Sequence, residues 1–142
     1  MRVVDMQQLE AVAREFISLF NISAPPIPVE KILQSPLPGM WDEVDVSQMT
    51  ARLDLSSPYS PQMSMARLLA RNIIGSPWGG QHGVGDLDED DQAVRRFARM
   101  LVMPADMILQ LNQTSRTPQL LSLHFEVPEA EASLRLQELG KQ

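Results

Sequence analysis

The chain of 142 residues contains no cysteine, which excludes disulfides and thiolate metal sites and fits a reducing cytoplasm. Positive charge is also scarce. Against 18 aspartates and glutamates stand 12 lysines and arginines, and the net charge of -6 repels a phosphate backbone, so nucleic acid is disfavoured as the principal partner. Long apolar runs are missing: no stretch reaches the roughly eighteen residues that a membrane helix requires. The opening residues, MRVVDMQQLEAVAREF, carry acids within their first turns in place of a signal-peptide core. The expectation is a soluble, unprocessed cytoplasmic protein with no membrane partner. What remains is an ordinary globular composition, 44% hydrophobic and 21% charged, in a length that suits one domain with a proper core.

Hydrophobic spacing organises the chain around Gln62 to Gly75, QMSMARLLARNIIG. Met65, Leu68, Leu69, Ile73 and Ile74 recur at three- and four-residue intervals, which predicts a buried helix stopped by Gly75 and Pro77. Arg67 and Arg71 lie four apart and therefore share a face. Taken in isolation, they read as two solvated arginines on the polar side of an amphipathic helix.

Around this centre, Met6, Leu9, Ala13, Phe16, Ile17 and Phe20 predict a first helix capped by Asp5. The prolines at 25, 26 and 28 force an extended segment, after which Val29 to Leu33 forms a short helix. Met40 to Val46 and Met49 to Leu55 are the plausible strands, the second alternating apolar and polar residues, and they predict a small antiparallel sheet. The glycines of SPWGGQHGVGDLDED argue for an irregular loop. Its Asp86, Asp88 and Asp90 have the alternation of a calcium loop without the turn glycine, and Phe97 stands where the bidentate Glu belongs; an acidic helix start explains them better. Helices follow over Asp91 to Met103, with Arg95, Arg96 and Arg99 outward, then Ala105 to Leu111, Pro118 to Phe125 and Pro128 to Leu139. The class expected is α+β, mostly helical.

Three separated pieces resemble the ImmA/IrrE family of zinc-dependent peptidases and anti-repressor proteases. They are APPIPVEKIL from Ala24 to Leu33, VRRFARMLVMP from Val94 to Pro104, and LHFEVP from Leu123 with RLQELG from Arg135 to Gly140. The resemblance implies zincin-like helices with a small sheet, a peptidase-like region over 1–112, and a C-terminal extension over 113–142 resembling a helix-turn-helix and packed into the same unit. In the register of the family's R-F-T-L-A-H-E-L-G-H helix, this chain reads QMSMARLLAR from Gln62 to Arg71. Both zinc-binding histidines fall on arginines, Arg67 and Arg71, and the general base falls on Leu68. A guanidinium has no lone pair for a metal, so neither ligand survives. The third ligand position matches Asp90, with Glu89 as the alternative. The resemblance therefore implies a pseudoenzyme with no catalytic residue, no metal and no cofactor. A metal site rebuilt from His82 with Glu89 or Asp90 would have a poor donor set and is the weaker alternative. In the metal's place, Arg67 or Arg71 is expected to pair with Asp90 or Asp91 and tie the two helices together.

The function expected is a catalytically inactive, regulatory protein-interaction module. By family analogy, its first partner to test is a helix-turn-helix transcriptional regulator. Met63, Met65, Met100, Met103 and Met107 either line the former active-site groove as adaptable thioethers or fill gaps in the core. A rival reading makes the tail a DNA-binding helix pair, but its second helix carries Glu129 and Glu131 against a lone Arg135.

Overall fold

A computed structural model of the chain describes residues 5–42 and 59–140, with the backbone alone for Asp88 and Glu89. Among these residues every regular element is helical. The order is α1 (Met6–Leu19), α2 (Val29–Gln34), α3 (Ser60–Ile74), α4 (Pro77–Gln81), α5 (Asp91–Val102), α6 (Ala105–Leu109), α7 (Pro118–Phe125) and α8 (Glu129–Gly140), with short 3-10 turns at Gly85–Glu89 and Gln113–Ser115.

The α+β expectation is corrected by this architecture to an all-helical class. The predicted strand at Met49–Leu55 and most of that at Met40–Val46 lie outside the described residues. The described start of the first strand is irregular. There the Met40 amide donates to the Leu37 carbonyl at 3.1 Å, and the Trp41 indole N–H donates to the Leu33 carbonyl at 3.2 Å. These groups serve a turn and a helix end, not a strand ladder.

The core is built where α3 packs along α5, with α1 laid across α5, α2 against α3, and α8 held between α5 and α7. On α3 the buried residues are Ser60, Met63, Ala66, Leu69, Ala70, Ile73 and Ile74. The face is turned from the predicted one, since Met65 and Leu68 are only half-buried. Ala66 and Ala70 explain the turn: lacking long side chains, they let α5 approach closely, and the larger Met65 and Leu68 are left at the flanks. Arg67 and Arg71 consequently stand at the edge of the α3–α5 contact. On α5, Ala93, Val94, Phe97, Ala98, Met100 and Leu101 point inward as the spacing requires, but Arg99 is buried with them, at 5% exposure. Its predicted outward position is corrected.

The glycine-rich loop is also more regular than expected. Ser76 caps α4 by accepting the Gly79 amide at 3.0 Å. Gly79 is required by close approach: a Cβ there would stand 2.0 Å from the Ile73 carbonyl oxygen at the end of α3. Smaller boundary shifts have similar local causes. The Arg116 side chain donates to the Leu109 and Leu111 carbonyls at 3.0 and 2.8 Å, ending α6 two residues early, while α8 runs through Gly140 instead of stopping before it.

Candidate functional site

The arginines and carboxylates of α3, α5 and α8 form one layered ionic site. Its outer part begins at the start of α5, where the Asp90 carboxylate accepts the Ala93 amide at 3.2 Å and caps the helix. Asp91, free of that duty, accepts from Arg71 Nη2 of α3 at 2.7 Å and stands 3.1 Å from Arg95 Nε one turn on. The pair between Arg71 and Asp91 links α3 to α5 at the register where the resemblance puts a metal ligand. Both partners are open to water, with side-chain exposures of 47% and 61%, so the link is screened.

The inner part is built differently. Arg67 Nη2 reaches Glu131 of α8 at 3.3 Å, a partner the sequence did not suggest. Glu131 in turn accepts from Arg99 Nη1 at 3.2 Å. Arg99 Nε and Nη2 make a forked pair with Glu138 at 3.1 and 2.7 Å, and Arg96 Nε approaches the same carboxylate at 3.8 Å. Burial opposes the Arg99 charge, but hydrogen bonds and attraction from Glu138 and Glu131 outweigh it and raise its pKa above the ordinary arginine value. A raised pKa on a base means that its stabilisation is complete below the arginine range and is lost only as strongly alkaline pH is reached. Arg99 is thus a fixed cation under all ordinary conditions.

A second buried guanidinium fastens α8 to the rest of the fold. Arg135, with no exposed surface, donates from Nε to the Met103 carbonyl at 3.0 Å and from Nη2 to Glu10 of α1 at 2.6 Å, with Nη1 on the other Glu10 oxygen. The carbonyl belongs to the C-cap of α5, so one side chain joins α1, α5 and α8.

The other expected site residues are dispersed. Leu68, at the position of the general base, lies half-buried against the core. Met63, Met100 and Met103 are core residues with 0–1% exposure, the gap-filling alternative of the two places expected for them. Met65 borders an open cleft of about 500 Å³ beside α2, with Pro28, Lys31, Gln62 and Glu126. Met107 borders another, of about 750 Å³, beside α1. Neither cleft is lined by Arg67 or Arg71.

His82 stacks on Trp78 with centroids 3.8 Å apart, donates Nδ1–H to the Trp78 carbonyl at 2.8 Å, and places Nε2 3.4 Å from Glu15. It is therefore turned toward α1, while Asp90 is occupied as a cap. Among the described residues no three histidine, aspartate or glutamate side chains are grouped as a metal site would require. Among the same residues no helix is long and apolar enough to cross a membrane.

The sequence reading missed Glu131, Glu138, Glu10 and the burial of Arg99 and Arg135. One signal was present: Glu131, Arg135 and Glu138 hold the four- and three-residue spacing of a core-facing stripe. Compared with known proteins, the chain matches no family model, no curated protein and no solved structure.

Proposed function

We propose that this protein is a catalytically inactive, peptidase-like module of the cytoplasm that acts by binding another protein. The observation that carries the reading is the use made of Arg67 and Arg71. At the positions where the resemblance to ImmA/IrrE puts zinc ligands, each guanidinium instead grips a carboxylate on a neighbouring helix, Glu131 at 3.3 Å and Asp91 at 2.7 Å. These residues supply a cross-link between helices and no electron pair for a metal. Leu68 beside them can take no proton from a water molecule. The reading rests on motif register and on these ion pairs.

A regulatory role with a helix-turn-helix transcriptional regulator as partner is proposed on the resemblance alone. The DNA-binding alternative is weakened by Arg135, the sole cation of α8, because its guanidinium is buried on Glu10 and unavailable to phosphate. A residual metallopeptidase is weakened by the orientation of His82 and by the capping role of Asp90.

Elemental analysis of the purified protein, paired with cleavage assays on unstructured peptides, tests the proposal. The expected outcome is substoichiometric zinc and no cleavage. Stoichiometric zinc with cleavage that a chelator stops would reverse it.

A further inference from the structure

Five arginines on α3 and α5, at 67, 71, 95, 96 and 99, share three carboxylates, Asp91, Glu131 and Glu138, each of which bridges two guanidiniums. Among the described residues, even with the capping Asp90 added, the five arginines of this network outnumber its four carboxylates, in a chain whose net charge is -6. Three of the five keep their heads near water: the side chains of Arg71, Arg95 and Arg96 are 47%, 52% and 47% exposed. The nitrogens nearest the carboxylates are Nη2 of Arg71 at 2.7 Å, Nε of Arg95 at 3.1 Å and Nε of Arg96 at 3.8 Å, and a guanidinium has five N–H donors in a planar fork. Donors not used in these pairs stand near water, where a further carboxylate could dock in forked fashion.

We propose that this α3–α5 face binds a short acidic segment of a partner protein, whose carboxylates complete the arginine network. The proposal deepens the interaction-module reading and rests on it. A nucleic acid is the less suitable polyanion, because a strand running past the patch meets an acidic molecule within about one Debye length, roughly 8–10 Å.

The test measures fluorescence anisotropy of a capped, labelled hexaglutamate peptide against the full chain. Saturable binding that weakens as salt rises is expected. Replacing Arg95→Glu with Arg96→Glu should lower affinity at least about tenfold, and Arg95→Gln with Arg96→Gln, which reverses no charge beside Glu138, about threefold or more. Arg14→Glu with Lys31→Glu makes the same change in net charge at exposed sites on α1 and α2, and should shift affinity less than about twofold. Equal losses in the two charge-reversal variants would overturn the proposal. So would a capped hexalysine that binds as well, a single-stranded oligothymidylate that binds more tightly, or no binding of hexaglutamate at all. Those failures leave the proposed lack of peptidase activity untouched, whereas chelator-sensitive cleavage would remove the underlying reading itself.

Discussion

The outer triad of Arg71, Asp91 and Arg95 and the inner set of Arg99, Glu138 and Glu131 with Arg135 and Glu10 use the same two functional groups at similar distances. Their surroundings differ. At the outer triad water competes for every hydrogen bond and salt screens the charge, so the interaction is worth little to the fold. At the inner set each charge was taken out of water to get there, and the pairs mainly offset that desolvation. The lesson is that a short distance does not rank an ion pair. What would be left behind when one partner is removed does.

Arg135 should therefore give the largest effect. Arg135→Leu removes the forked partner of the Glu10 carboxylate in a nearly closed site and unpairs the Met103 carbonyl, at a cost of about 3–5 kcal/mol in urea denaturation. Adding Glu10→Leu should recover part of the loss, because it removes the buried carboxylate but leaves the Met103 carbonyl without its donor. A single-variant cost below about 1 kcal/mol would erase the distinction between the two regions.

Arg99→Ala comes next, at about 2–3 kcal/mol, since Glu131 and Glu138 each keep one remaining arginine, Arg67 and Arg96. Arg99→Lys sharpens the point. It keeps the charge but loses the fork onto Glu138, and about half of the stability loss should persist.

The sequence made the helices legible because their apolar spacing, caps and prolines are local signals: Asp5 does accept the Gln8 amide, and α7 begins at Pro118 under the Thr117 cap. It misled where small residues decide. Ala66 and Ala70 carry little hydrophobic weight, yet they set the face that α3 turns to α5. It misled again where charge is inside, because a charged residue is read as solvated unless its partner is known. The partners of Arg99 and Arg135 lie 32 to 125 residues away along the chain, beyond any local pattern. At the candidate site, the register singled out Arg67 and Arg71 and named Asp91 among the acids to pair with them. Local spacing gives no sign that Glu131 bridges Arg67 and Arg99, since both lie on other helices.

Arg67 stands between the two regimes and tests where the boundary lies. Its Nη2 holds Glu131, but its Nε is buried and, among the described residues, has no hydrogen-bond partner. Removing the whole side chain loses packing as well as charge, so Arg67→Ala should cost about 1 kcal/mol. Arg67→Met keeps an apolar stem and deletes the unsatisfied N–H. It should lie within about 0.5 kcal/mol of the parent, and a cost as large as that of the alanine variant would show that the charge, not the stem, is what matters there.

The smallest effect is expected at Arg71 and Asp91, and its size is informative because the pair has the shortest outer contact, 2.7 Å. A double-mutant cycle of Arg71→Ala and Asp91→Ala isolates their coupling, which should be about 0.2–1 kcal/mol at low salt. Arg95 makes the single Asp91 variant more costly than the single Arg71 variant, since Asp91 serves both arginines while its loss also removes an acid from the first turn of α5. Raising salt to about 1 M shortens the Debye length to about 3 Å and should abolish the coupling, leaving the Arg135 cost nearly unchanged. If instead the Arg71 coupling survives that salt, the outer pair is held by geometry that excludes water. Arg71 would then tie α3 to α5 as firmly as Arg99 ties α5 to α8.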